Sequence, residues 1–332
     1  MQIYTSLDQL TGNTTPSVVT IGNFDGVHRG HRTVIDAVTS RARDLRARSV
    51  AITFDPHPAR ILKSDASIRL ITPLAQKLEL LAATGLDATL VLPFTQEFSG
   101  WSARDFATLV LQNALHTIEI HEGETFRFGR GAIEDVTGLA HLGEDLGFTV
   151  RAYHPNNFRG APVSSSRIRA LIAAGTMHSV RALLGRSFAI RSTPASGRGY
   201  GTRYAVPTIN LAPYNDLLPA NGVYITTLRI GEDDSSRTFQ AVTNAGNRPT
   251  FGVDSFAVES FLLDFEPITL TEQTPLELTF LDRLREEIRF PNPEALRAQI
   301  NIDVGRAKRY FALCDTLANA TSAPETAFPS WD

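Results

Sequence analysis

Lysine is nearly missing from this chain. Of its 32 basic residues only Lys63, Lys77 and Lys308 are lysine, and the other 29 are arginine. The planar fork of arginine suits bidentate contact with phosphate, although an arginine-rich composition also follows from GC-rich coding. Cysteine is scarcer still: a single one, Cys314, excludes an internal disulfide. No Gly-Lys-Ser/Thr occurs, which excludes a Walker A loop, and no Gly-x-Gly-x-x-Gly dinucleotide fingerprint is present. There is no basic stretch leading into an apolar run at the start, and no apolar segment of membrane-spanning length. The expectation is therefore a cytoplasmic protein without membrane contact. A net charge of −3 gives no electrostatic footprint for nucleic acid. What is present is ordinary: 332 residues, comfortable for two domains, with 42% hydrophobic and 20% charged residues, enough for a sizeable core. Oligomeric state is not legible.

The most informative stretch is Gly22-Asn23-Phe24-Asp25-Gly26-Val27-His28-Arg29-Gly30-His31. Before it stands the β-branched run Val18–Ile21, which reads as a buried strand. After it, from His31 to about Arg48, Val34, Ile35, Val38 and Leu45 return at helical spacing. Strand, glycine turn and helix in this order aim the free N–H groups of the helix start at one point, a ready anion site. Gly22, Gly26 and Gly30 allow close backbone approach. His28 and His31, three apart across the helix entrance, can project toward the same anion. The competing readings are a purely structural turn, solvated histidines or a zinc site; zinc lacks a third His or Cys at ligand spacing.

To about residue 184 strands and helices alternate: strands at 49–54, 88–92, 117–121 and 148–153, helices at 74–83, 102–114, 139–146, 165–174 and 178–184. Ser102 and Asp105 spell a capping box. This grammar predicts a Rossmann-like parallel sheet with helices on both faces and ligands beyond the carboxyl ends of the strands. From Ser187 short alternating strands broken by Gly, Pro and Asn predict an antiparallel barrel or sandwich, at 188–193, 223–230, 239–243, 256–263 and 276–280. A last helix is expected over Asn292–Ala318 with Leu296, Ile300, Val304, Ala307 and Phe311 as its stripe. The divisions are 1–184, 185–320 and a loose tail at 321–332.

Other runs carry weaker signals. Ser164–Arg169 offers hydroxyls and the guanidinium forks of Arg167 and Arg169, or merely caps a helix. Phe54, Asp55, Pro56, His57 and Pro58 read as a stiff extended loop whose phenyl ring suits stacking on a planar ligand, or as a stiff surface loop and nothing more. Phe126–Gly131 mixes aromatics, Arg and Gly. Gly197, Gly199 and Gly201 mark a flexible loop. If Pro207–Asn210 is extended, Thr208 and Asn210 share a face and offer hard neutral oxygens suited to Mg²⁺, or simply end a strand. Glu259 is a lone carboxylate in the nearly uncharged run Ser255–Leu263, either an exposed polar position or a proton acceptor. Asn244–Phe251 reads as a tight turn.

Taken together, His28-Arg29-Gly30-His31, Phe54–Pro58, Ser164–Arg169, Pro207–Asn210, Leu218–Tyr224, Asn244–Phe251, Glu259 and Leu284–Phe290 resemble, in this order, the bacterial bifunctional riboflavin kinase/FMN adenylyltransferase family. The resemblance implies an α/β nucleotidyltransferase domain followed by a six-stranded kinase barrel with a C-terminal helix. It implies riboflavin, FMN and ATP as small-molecule substrates, Mg²⁺ as metal, and FMN and FAD as products. By the same resemblance His28, His31, Ser165, Ser166 and Arg169 serve adenylyl transfer and Glu259 is the kinase base. Gly22, Asn23, Phe24, Asp25, Gly30, Gly197, Gly199 and Gly201 hold ATP. Phe54, Pro56, His57, Pro58, Phe126 and Arg285 hold flavin, while Thr208 and Asn210 hold the metal. Thr125, Ala132, Arg191 and Ala205-Val206 depart from the family's usual residues. Those at Arg191 and Ala205 motivate an alternative, an adenylyltransferase whose barrel only binds flavin.

Overall fold

The computed structural model describes residues 1–62, 68–195, 208–232, 236–247, 256–265 and 270–322. The described residues divide into two compact units. One comprises Met1–Ala170 with Ala182–Arg186, the other Leu171–Arg181 with the chain from Ser187 onward. The units are therefore discontinuous in sequence, whereas composition suggests a single cut near Gly185.

The first unit is built on a six-stranded parallel sheet. Its strands are β1 (Gln2–Tyr4), β2 (Ser17–Ile21), β3 (Arg48–Asp55), β4 (Ala88–Pro93) and β5 (Thr117–Gly123). A two-residue hairpin of β6 (Arg127–Phe128) and β7 (Glu134–Asp135) precedes the last of them, β8 (Thr149–Tyr153). The spatial order is β1-β4-β3-β2-β5-β8. Central β2 is buried at every residue and its side chains alternate. Val18 packs with Ile35 and Val38 of the following helix and with Leu81, whereas Val19 and Ile21 pack with Ile52, Leu90 and Phe106. Both faces are thus covered by helices, as the alternating grammar implies. Complete burial of a side chain such as Ile35 contributes about 1.5–3 kcal/mol.

Helix α1 (Arg29–Leu45) begins two residues before His31. It stops at left-handed Arg46, short of the expected Arg48, which instead opens β3. The Ser102–Asp105 capping box forms, and after Phe106 the helix widens into a π-helix over Ala107–Ala114. A small hairpin of β9 (Asn157–Phe158) and β10 (Ala161–Pro162) leads to the helix Ser165–Ala173.

The second unit holds six antiparallel strands: β11 (Phe188–Ser192), β12 (Thr208–Asn210), β13 (Gly222–Ile230), β14 (Arg237–Asn247), β15 (Phe256–Leu262) and β16 (Leu276–Arg285). Their order is β11-β16-β13-β14-β15-β12. A bridge between Pro194 and Leu211, with Ala195 N–H donating to Asn210 O at 2.8 Å, joins the two edge strands and closes the sheet on itself. Asn244–Asn247, read from sequence as part of a turn, lie instead in β14, paired with Phe256–Glu259. Arg248–Phe251 lie outside the described residues. The C-terminal helix runs Pro293–Ser322, four residues beyond the expected end. Val304, Ala307 and Phe311 pack on Val223, Ile225 and Val242 of the sheet. Leu296, assigned to the same stripe from its spacing, is exposed, because the packed face begins only near Asp303. Most of the segment read as a tail, from residue 323, lies outside the described residues.

Candidate active sites

Three of the sequence-selected loops follow β2, β3 and β5, which are neighbours in the sheet, so all three leave from one carboxyl edge. The turn after β2 is the most constrained. Phe24, Gly26 and Val27 all adopt positive φ, at 46°, 86° and 36°. Such a backbone costs a β-branched valine free energy and is held only where surroundings over-determine it. Arg186 supplies that restraint, donating to Gly26 O at 2.7 Å and to Val27 O at 3.3 Å. Val27 N–H also closes back on Phe24 O.

His28 follows as the N-cap of α1: its Nδ1 accepts the N–H of His31 at 3.3 Å. Nδ1 therefore carries the lone pair and Nε2 the proton, so the other nitrogen of this imidazole is a donor. The rings of His28 and His31 stack with centroids 3.6 Å apart. Burial pushes His28 down to about 4 and also holds His31 well below the usual histidine range. Both imidazoles are neutral at pH 7. Nδ1 of His31 is buried and has no hydrogen-bond partner among the described residues, an exception to the usual satisfaction of buried polar groups.

Asp25, grouped with the ATP-binding residues from sequence, is turned inward. Its carboxylate accepts from Ile71 N, Thr72 N and Arg169 at 3.1, 3.0 and 2.7 Å. It braces the corner and orients Arg169. The Ser164–Arg169 run does reach this corner: Ser165 Oγ donates to Asp25 O at 2.9 Å. Nε of Arg169 is buried without a partner among the described residues. Ser166 is exposed on the first turn of its helix. Arg167, in contrast, is spent on the β9–β10 hairpin, donating to the carbonyls of Phe158, Ala161 and Pro162. Gly30 stands tight against the cap, since a Cβ there would lie 3.2 Å from the His28 ring and push it by a few tenths of an ångström. A Cβ at Gly22 would meet the Phe24 ring at 3.2 Å.

After the neighbouring strand β3, the Asp55–Pro56 peptide is cis, and His57 Nδ1 accepts Ala59 N–H at 3.2 Å. The loop is extended only to His57, because Pro58 begins the helix Pro58–Leu62. Burial pushes His57 down to about 4. Phe54 packs against Phe94 and Phe98, and Phe126 stacks on Phe128 at 5.4 Å. Phe94 and Phe98 carry no mark in the sequence beyond their Phe-Thr-Gln-Glu-Phe spacing after a strand. Glu122 was missed as well. It is buried in β5 and accepts from Ile21 N and Thr20 Oγ1, fixing the end of β2 just before Gly22. Burial drives its carboxyl well above the ordinary range.

In the second unit the register aligns the selected residues. Asn210 pairs with Glu259, which in turn pairs with Asn244, and Thr208 lies two residues along the same face. Thr208, Asn210 and Glu259 are half-buried. Arg285 is held by Asp303 of the C-terminal helix, at 2.9 Å from Nε and 2.8 Å from Nη2. Gln299 donates to the same carboxylate at 3.0 Å. Arg191 occupies ordinary strand backbone opposite Glu277, which it meets at 2.6 Å beside Arg229. Gly197, Gly199, Gly201 and Ala205 lie outside the described residues. Among the described residues no three His, Cys, Asp or Glu side chains form a metal cluster, and no helix is long and apolar enough to cross a membrane.

With this geometry in place, residues 11–167 match the family model for FAD synthetase and residues 184–311 that for riboflavin kinase. A Pseudomonas fluorescens protein named bifunctional riboflavin kinase/FMN adenylyltransferase is 33% identical over 93% of this chain and 97% of its own. The protein of that name from Escherichia coli K12 is 30% identical over 89% of this chain and 93% of its own. A solved structure of a Streptococcus pneumoniae protein, titled macrolide-efflux protein, shares the fold with a TM-score of 0.83. It covers 92% of this chain and 98% of that one at 24% identity.

Proposed function

Because the chain belongs to the bifunctional riboflavin kinase/FMN adenylyltransferase family, we propose which of its residues carry each of the two reactions. The activities themselves follow from the family: ATP phosphorylates riboflavin to FMN, and a second ATP adenylylates FMN to FAD.

Adenylyl transfer is assigned to the first unit. A phosphate oxygen of FMN attacks the α-phosphorus of ATP, and the bond to the bridging β-phosphate oxygen breaks with release of pyrophosphate. Such chemistry needs positioning and charge stabilisation more than covalent help. Neutral His28 and His31 at the start of α1 donate to the phosphate chain. Incoming negative charge favours their protonation and so strengthens these bonds as charge develops. Arg169, oriented by Asp25, and the hydroxyls of Ser165 and Ser166 complete the anion side. Phe54, Pro56, His57, Pro58 and Phe126, together with Phe94 and Phe98, offer an aromatic surface to the isoalloxazine. The observation that carries this assignment is a pair of buried polar atoms with no partner among the described residues, Nδ1 of His31 on the first turn of α1 and Nε of Arg169, whose guanidinium Asp25 holds.

Phosphorylation of riboflavin is assigned to the barrel. Glu259 accepts the proton of the 5′-hydroxyl. Thr208 and Asn210 offer hard neutral oxygens on the face that carries Glu259. That donor set fits Mg²⁺ arriving with substrate phosphate, and the bound ion would neutralise charge on the transferring group. Arg285, fixed by Asp303, lies on the flavin side. Both units act in the cytoplasm, where ATP is supplied. Incubating the full chain with riboflavin, ATP and Mg²⁺ and separating the flavins by chromatography tests the reading. FMN and then FAD are expected, and failure of either product to form refutes the corresponding assignment.

A further inference from the structure

Lys77 sits on the helix Leu74–Ala82 and is only 7% exposed. Its ammonium donates to Asn23 O at 3.2 Å, Thr53 Oγ1 at 3.0 Å and Phe54 O at 3.4 Å. An ammonium has three donors, so this seat uses them all. Two acceptors come from segments assigned to different ligands: Asn23 from the turn after β2, assigned to the nucleotide, and Phe54 from the end of β3, where the stretch assigned to the flavin begins. The third, Thr53, reinforces the join by donating its own hydroxyl to Asn23 O at 3.3 Å. None of the three is a carboxylate; Asp25 and Asp55 act on the ammonium only through space. A buried ammonium without a bonded carboxylate is expensive, and packing alone would be served better by an apolar side chain. The position therefore needs something that only a three-donor group on a long stem provides.

We propose that Lys77 is a positioning residue for adenylyl transfer, a clamp that fixes the nucleotide turn at Asn23 to the flavin loop at Phe54 so that the FMN phosphate meets the α-phosphorus of ATP in line. The proposal rests on the reading of the first unit as the adenylyltransferase. A small misalignment of two reacting groups costs about a hundredfold in rate, and a loosened clamp produces that kind of error without removing any group that touches substrate.

The test uses the full chain, with FMN and ATP for adenylyl transfer and riboflavin and ATP for phosphorylation. Lys77→Met keeps the stem and removes the donors. The expected result is a fall of about a hundredfold in kcat for FAD formation, with both KM values changing less than kcat and phosphorylation unchanged. Thr53→Val, which keeps the lysine charge and removes one acceptor, is expected to lower the same kcat by a smaller factor. A lysine that merely stabilises the fold would shift the melting temperature and leave kcat alone. Wild-type kcat and KM values in Lys77→Met overturn the proposal. Should Lys77→Met not fold, an unaltered kcat in Thr53→Val overturns it equally. Absence of FAD formation in the wild type would instead overturn the functional reading, so the two failures are distinct.

Discussion

Replacing Gly30 by Ala separates the role of His28 from helix stability, because the two effects have opposite signs. Gly30 is the second residue of α1, with no positive φ, so alanine meets no backbone strain there. In a helix the exchange is worth about 0.5–1 kcal/mol in favour of alanine. Against this, the new Cβ would lie 3.2 Å from Cε1 and 3.3 Å from Nδ1 of His28, with the carbonyl of Val163 behind it at 3.5 Å. The ring must move by a few tenths of an ångström. The cap it makes to His31 N–H is already 3.3 Å long and would weaken. Loss of an N-cap costs about 1 kcal/mol, so the melting temperature of Gly30→Ala should stay within a few degrees of wild type. Activity should not. Removing a donor aimed at developing charge costs about 10²–10³ in kcat. Displacing one should therefore cost roughly tenfold to a hundredfold in FAD formation. The assay is FAD from FMN and ATP, with phosphorylation of riboflavin by the same sample as the control. FAD formation at the wild-type rate in a folded variant would refute the placement of His28 at the phosphates.

Further expectations concern both units. His28 is pushed down to about 4 in the folded chain from 6.5 when unfolded, so the unfolded chain binds the proton first as pH falls. Stability from this residue is complete above 6.5 and lost toward 4, amounting to about 2–3 kcal/mol at pH 4.5. His28→Asn, which can cap but not titrate, should show a correspondingly smaller loss of denaturation midpoint between pH 7 and 4.5. Removing a buried partner from an ion pair costs about 3–5 kcal/mol. Asp303→Ala should thus destabilise the barrel by about that much and raise KM for riboflavin, leaving FAD formation from FMN intact; an unaltered KM would detach Arg285 from the flavin. Glu259→Gln should abolish FMN formation from riboflavin while FAD formation from FMN continues.

The order strand, turn, α1 was legible because β2 is apolar on both faces and α1 carries a strong stripe. So was the barrel, through its short alternating runs. What sequence did not reveal was which polar groups face inward. Asp25 reads like a ligand contact, yet its partners Thr72 and Arg169 stand 47 and 144 residues away. Lys77 belongs to a helix whose pattern is otherwise amphipathic, and only the seat formed by Asn23, Thr53 and Phe54 accounts for its burial. Glu119, His121 and Glu122 interrupt β5 with titratable side chains; Arg41 and Arg151 pair Glu119 at 3.0 and 2.5 Å, and Tyr153 meets His121 at 2.7 Å. The Asn244–Asn247 stretch reads as a turn from its Asn and Gly, but pairing with β15 overrides that local preference. β1 is three residues long and takes its place by pairing with β4 alone, too brief for any periodicity.

The separateness of the two sites is tested most directly by giving riboflavin, ATP and Mg²⁺ to His28→Ala and Glu259→Gln, singly and mixed. His28→Ala should accumulate FMN without FAD, Glu259→Gln should leave riboflavin unchanged, and the mixture should make FAD from FMN that passes between molecules. If His28→Ala fails to make FMN while remaining folded, the kinase and the adenylyltransferase do not use separate residues, and the division drawn between them is wrong.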